Sequence, residues 1–180
     1  GPSVLDDLRA NPGKTVTLRS DRNSCAVYRN ANNGREYYVI ENRSDAGRDR
    51  SLPGSGLAIW HVDEAGDNRY DDMKPDEHYE CSLVQADGRH DLERCRNDGE
   101  AQDLFKASGA KKFGPETNPK SRWWKHADCR LEICDIRATG DVLIDQLVQL
   151  QRSGFSSAVL REGIDASAAQ RQFERYAAFH

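Results

Sequence analysis

Gly54-Ser55-Gly56-Leu57-Ala58-Ile59-Trp60-His61-Val62-Asp63-Glu64 is the stretch that decides the fold. Leu57 to Trp60 is an unbroken apolar tetrapeptide, entered through glycines and left through acidic residues. That pattern suits a strand covered on both faces better than an exposed helix, and it is expected to be the central strand of the domain. Strand alternation places Leu57, Ile59, His61 and Asp63 on one side, with His61 at the wet end of a mostly apolar face.

Two further segments share this grammar. Glu36-Tyr37-Tyr38-Val39-Ile40-Glu41-Asn42-Arg43 is aromatic and β-branched, and Tyr79 to Asp87 alternates before a turn-forming Asp87-Gly88. With Asp63 and Glu64 leaving the central strand, three acidic strand exits are expected to converge. Cys25 to Arg29 and Glu36 to Asn42 flank Asn30-Ala31-Asn32-Asn33-Gly34, whose final Asn-Gly is a strong hairpin signal. Lys14 to Arg19 alternates as a half-buried strand would, and Val4 to Arg9 reads as a short amphipathic helical turn stopped by Asn11-Pro12-Gly13. Asp91 to Arg94 suits one more helical turn. Arg130 to Ile136 and Asp141 to Leu147 read as a last β pair around Thr139-Gly140. In the tail, Asp165 is a helix N-cap candidate, with Ala169, Phe173 and Tyr176 on one face. The predicted fold is mainly β: an antiparallel β-sandwich of about seven strands with short helical turns and a C-terminal helical appendage. Its expected divisions are a lead-in at 1–13, a β domain at 14–148 and a helical tail at 149–180.

A chain of 180 residues at 37% hydrophobic can bury one good core. Charged residues make up 31%, but the signs are mixed and the net charge is only -4. A dedicated nucleic-acid binder needs a basic face to neutralise phosphates, so nucleic acid is not an expected partner. No segment approaches the length of a membrane span, and no signal peptide precedes the first strand. Gly1-Pro2-Ser3 reads as the scar of a removed affinity tag, which implies a domain cut from a longer protein. The five cysteines are Cys25, Cys81, Cys95, Cys129 and Cys134. They allow at most two internal disulfides, or serve as buried thiols that pack like small hydrophobes.

The chemistry centres on polar loops. The segments Arg43 to Ser51 and Ala65 to Glu77 are the expected functional loops, the second acidic through Asp67, Asp71, Asp72, Asp76 and Glu77. Asp63, Glu64, Asp87 and Asp103 are candidate calcium ligands, because calcium takes carboxylate and carbonyl oxygens from flexible loops; no EF-hand spacing is present. Trp123-Trp124 fits either packing or a ligand platform, and with His61, Asp67 and Asp71 completes the candidate binding set. His61 also fits a structural role, hydrogen-bonded to Asp63 or Asp87. A Cys81 nucleophile activated by His61 or His78 is the one independent hydrolase that can be sketched, and no nucleophile signature surrounds it. The chain carries no G-x-S-x-G elbow, P-loop or dinucleotide fingerprint.

Four blocks, Glu36 to Arg43, Leu52 to Glu64, Leu83 to Gly88 and Asp103-Leu104-Phe105, resemble in order and spacing the M6 metalloproteases, the immune inhibitor A-like secreted enzymes. The resemblance spans roughly Lys14 to Leu147 and matches the β-rich region that follows the catalytic zinc helix. That helix carries His-Glu-x-x-His, and no pair among His61, His78, His90, His126 and His180 has the spacing. The resemblance therefore implies a non-catalytic β domain without zinc, stabilised by calcium and extracellular, whose partner is the catalytic domain of its parent protein. The alternative is a stand-alone protein- or glycan-binding module. A metal-dependent hydrolase built on the acidic strand exits is a third reading.

Overall fold

The computed structural model describes residues 3–10, 12–20, 24–69, 73–125, 129–137, 141–142, 159–160 and 171. Its framework is a five-stranded sheet of β1 (Ser3–Asp7), β2 (Ser24–Arg29), β3 (Glu36–Arg43), β4 (Gly56–Asp63) and β5 (Cys81–Leu83), hydrogen-bonded in that order. The strands β2 to β5 are antiparallel neighbours, and β1 runs parallel to β2 at one edge. A separate parallel pair joins β6 (Asp141–Val142) to β7 (Val159–Leu160).

The mainly β expectation holds, and the Asn33-Gly34 signal marks the β2–β3 hairpin. Within it Glu36 N–H donates to the Asn33 carbonyl, and the side-chain oxygens of Asn30 and Asn33 accept the N–H groups of Asn32 and Arg35. The centre of the sheet is β3, with Gly56–Asp63 beside it. Both are strongly apolar because both are flanked, so apolar content alone does not rank them. The expected Val4–Arg9 helical turn is instead largely strand β1, whose partner begins at Ser24. Lys14 to Arg19 forms no strand among the described residues, although Val16 and Leu18 do turn inward against the core. Asp141–Val142 pairs with Val159–Leu160, while Ile133 in the other expected partner bridges to Phe113. The tail positions Asp165, Ala169, Phe173 and Tyr176 lie outside the described residues.

Register fixes which side chains share a face. Glu36 opposes Asp63, Tyr38 opposes His61, and Ile40 opposes Ile59. This face is covered by the irregular segment from Phe105 onward, which contributes Phe105, Phe113, Trp123, Cys129 and Leu131 to the core with Ala26, Tyr38, Ile40 and Ile59. Single β-bridges, Phe113 to Ile133 and Gly114 to Lys120, fasten that layer where continuous strands would otherwise do so. Gly56 lets the backbones close: a Cβ there would lie 2.8 Å from the Phe105 carbonyl oxygen. Among the described residues no helix is long and apolar enough to cross a membrane. Among the described residues no disulfide joins the cysteines, and Cys25 and Cys129 are buried.

Candidate functional site

The inward parity of β3 and β4 carries its apolar run into a polar end. Beyond Ile40 and Ile59 the same face presents Tyr38 and His61, then Glu36 and Asp63, all of them buried. Four aromatic rings stack here in a column. Tyr38 lies 4.4 Å from His61, His61 4.9 Å from Trp124 at an interplanar angle of 3°, and Trp124 4.2 Å from His78. Trp123 points the other way, into the core, where it packs on Tyr28 and Tyr38.

Two carboxylates close the column. Glu36 Oε1 accepts from His61 Nε2 at 3.0 Å and from the Trp124 backbone N–H at 2.7 Å, and Glu36 Oε2 accepts from Asn30 Nδ2 at 2.9 Å. Burial pushes the Glu36 carboxyl upward, but these three donors outweigh it and hold the group below its usual range. Burial pushes His61 down despite the adjacent Glu36, which keeps the imidazole neutral. Asp63 accepts from His78 Nε2 at 3.2 Å and from the Ala65 N–H at 3.0 Å. The other nitrogen of His78 faces the Lys74 carbonyl at 3.0 Å, so His78 ties the far side of the 64–80 connection to the strand. Tyr38 donates to the Arg122 carbonyl at 2.7 Å and accepts the Arg122 N–H at 3.2 Å, fixing the approach of the tryptophan pair. Burial raises the Tyr38 hydroxyl far above its usual value.

The partner of His61 is therefore Glu36, where Asp63 or Asp87 was expected. Glu36 was read only as the opening residue of a strand; its inward parity with Tyr38 was the signal. His78 was also missed as a member, since a long connection separates it from Asp63. The proposed Cys81 nucleophile is not assembled: Cys81 opposes Val62 and lies on the other face from His61.

The expected convergence of acidic exits fails on strand direction. Neighbouring antiparallel strands leave at opposite ends, so β4 delivers Asp63 and Glu64 to one end, while β3 and β5 exit at the other. Asp87 and Asp103 follow β5, near the Leu57–Phe105 bridge. Each carboxylate has local work: Glu64 accepts from the Tyr37 hydroxyl, Asp87 from the Arg89 N–H, and Asp103 from the Glu100 N–H. Among the described residues no group of three or more His, Cys, Asp or Glu side chains is placed to hold a metal ion. Asp67 is half-buried and bound to Arg69, and Asp71 lies outside the described residues. The two loops singled out from composition also separate, since 44–55 joins β3 to β4 at one end and 64–80 joins β4 to β5 at the other.

The family model that matches the chain is "Bacterial protein of unknown function (DUF934)", over residues 133–180. That bacterial family is unrelated to the M6 peptidases, and it corrects the M6 resemblance. Aromatic and β-branched runs ended by Asn, Asp and Gly are what any antiparallel sheet with tight turns requires, so blocks of this kind recur without kinship. No curated protein and no solved structure matches the chain. Fold and site together define a mainly β domain with a buried ring column at one end of its sheet.

Proposed function

We propose that this chain is a non-catalytic binding module that takes a protein partner through the 64–80 connection. The observation that carries the reading is the way the polar, largely exposed segments 64–69 and 73–80 are held from beneath by the buried Asp63–His78 pair. The loop is closed by its own backbone as well: Asp63 N–H donates to the Glu80 carbonyl, Gly66 to Asp63, and Asp67 to His78. Asn68 Oδ1 accepts the Glu80 N–H at 3.1 Å. Segments held in place before binding, as 64–69 and 73–80 are, lose less entropy on association, and loops on rigid scaffolds are where recognition usually resides. The ring column beneath supports this role, because its carboxylates and imidazoles are buried and engaged with one another.

The test is a random-peptide display selection and a glycan array run against the folded chain, followed by amide-shift mapping. Selected peptides that move the amides of residues 64–69 and 73–80, and that lose affinity on Asp67→Lys, are the expected result. Binding of glycans alone, or peptide turnover that disappears in His61→Ala, would sink it.

A further inference from the structure

The turn between β2 and β3 carries the only Asn-Gly step of the chain, Asn33-Gly34. We propose that it is a site of spontaneous covalent modification, at which water replaces the Asn33 side-chain amide through a succinimide and the isoaspartate product unlatches the turn beside Glu36. The site is separate from the 64–80 connection and stands or falls without it.

The reaction needs a backbone nitrogen free to attack. With its proton removed, Gly34 N bonds to Asn33 Cγ and the negative charge passes to Oδ1. Collapse of that intermediate expels Nδ2 as ammonia, which takes up the proton that the nitrogen gave up. Water then opens the imide. Breaking the N–Cγ bond leaves aspartate; breaking the bond from the nitrogen to the main-chain carbonyl carbon leaves isoaspartate, in which the chain runs through Cβ and Cγ. Ammonia leaves, water enters, and nothing is oxidised or reduced.

The turn meets these requirements. Gly34 is exposed, and its N–H has no hydrogen-bond partner among the described residues. A Cβ added there would meet nothing within 4 Å, so the space around the step is open. The Arg35 N–H donates to Asn33 Oδ1 at 3.2 Å. That oxygen is the one on which charge develops, and a backbone donor already aimed at it stabilises the tetrahedral intermediate. The same bond folds the side chain forward over Gly34, which favours attack. Asn33 Nδ2, the leaving group, makes no hydrogen bond among the described residues.

Comparable steps are held closed. In Asp87-Gly88 and Asp98-Gly99 the glycine N–H is engaged: Gly88 donates to the Gln85 carbonyl at 2.9 Å, and Gly99 to Asn97 Oδ1 at 2.9 Å. The Asn30 amide donates to Glu36, and that of Asn97 to Glu100. Asn118 precedes a proline, which has no N–H to attack with.

The product acts on the strand that follows. The Asn33 carbonyl accepts the Glu36 N–H at 3.0 Å, and the Asn30 N–H donates to the Glu36 carbonyl at 2.9 Å, so this pair closes the hairpin. In isoaspartate the accepting carbonyl becomes a carboxylate branching off the chain, and the main chain gains a methylene before Gly34. The acceptor is thereby displaced from the Glu36 N–H, at the strand end whose carboxylate meets His61.

The measurement is ageing of the folded chain at physiological temperature in mildly alkaline buffer made with heavy-oxygen water. Tryptic mapping of the Asn30–Arg35 peptide follows, with electron-transfer fragmentation to separate aspartate from isoaspartate. Asn33 is expected to convert several-fold faster than Asn30, Asn32 or Asn97, each product carrying one heavy oxygen. Gly34→Ala should slow the conversion several-fold, and a melt verifies that this variant keeps the fold. In the isoaspartate form, isolated by ion exchange, the Glu36 amide should exchange faster than in the parent. An Asn33 still intact when the free Asn30–Arg35 peptide has converted overturns the proposal. So does a rate indifferent to Gly34→Ala, or an isoaspartate form that protects the Glu36 amide as well as the parent does.

Discussion

Glu36 at the start of β3 and His61 near the end of β4 are joined by a buried 3.0 Å hydrogen bond that crosses the strand pair diagonally, Glu36 itself standing opposite Asp63. Removing the charge while keeping the shape isolates what this bond contributes. Glu36→Gln keeps one acceptor oxygen for donors that now share two, and leaves an amide N–H₂ facing Asn30 or His61. The expected loss is about 2 kcal/mol in a urea melt, the scale of a buried charge-assisted hydrogen bond. An unchanged midpoint would show that the pair is not held as described.

The same pair sets an acid response. The folded pKa of His61 is depressed, so as pH falls below about 6.5 the unfolded chain takes up a proton that the folded one resists. Stability is complete above that pH and declines beneath it. Glu36 is depressed too, which adds a second decline below about pH 4.3. Asp103 has the opposite sign: burial, with Asp87, Glu100 and Asp91 nearby, raises its carboxyl, so its contribution is lost as pH rises. The melting temperature should be level between about pH 7 and 8 and fall in two stages on acidification. His61→Asn should remove the first stage, and a persisting decline between pH 6.5 and 5 in that variant would assign it elsewhere.

Trp124 offers a cleaner dissection of the ring column, because ring and N–H separate. Its indole Nε1 is buried without a hydrogen-bond partner among the described residues, while its faces stack on His61 and His78. Trp124→Ala removes both contacts and should cost about 3 kcal/mol. Trp124→Phe keeps a ring between the histidines and deletes an unsatisfied donor worth roughly 1 kcal/mol or more, so its loss should be much smaller. Equal losses in thermal melts of the two variants would mean that stacking contributes nothing.

Much of this arrangement is legible in the sequence, and the gaps have physical causes. The β2–β3 hairpin was readable because Asn33-Gly34 encodes its turn locally, and the shared face of Leu57, Ile59, His61 and Asp63 because strand parity is local too. Edge strand β1 was not, since its partner Ser24 is remote in sequence and the short segment satisfies a helical period equally well. The partner of His61 was within reach: once β3 and β4 pair, parity puts Glu36 and Tyr38 on the His61 face. His78 was not, because a loop with no period of its own decides where that ring returns. Convergence of the acidic exits was assumed without strand direction, and direction is the one property that apolar patterning does not carry.

Gly56 tests the closeness of the covering layer. A methyl group added there would lie 2.8 Å from the Phe105 carbonyl oxygen and 2.9 Å from Leu104 Cβ, and Phe105 and Leu57 exchange both backbone hydrogen bonds of that bridge. Neither neighbour is the loose end of a side chain, so the bridge must open. Gly56→Ala should destabilise the chain by about 2 kcal/mol, within the usual range for overpacking. Amide exchange at Leu57 and Phe105 should accelerate with it. A variant as stable as the parent would show the layer to be looser than these distances indicate.

The expected response to calcium follows from the same geometry of direction. Asp63 and Glu64 lie at the exit of β4, and Asp87 and Asp103 near its entry, so the length of an eight-residue strand, roughly 20 Å, separates the two pairs. One ion cannot draw on both. At the first end Asp63 is committed to His78 and the Ala65 N–H; at the second, Asp103 is 3% exposed and caps Glu100. A cation bound through either pair would compete with those bonds for the same carboxylates. The purified chain should therefore melt at the same temperature in calcium and in chelator, with no stoichiometric metal by elemental mass spectrometry. A melting point that drops on chelation, and no longer does so in Asp103→Asn, would place an ion among Asp87, Asp103 and their neighbours and reverse this conclusion.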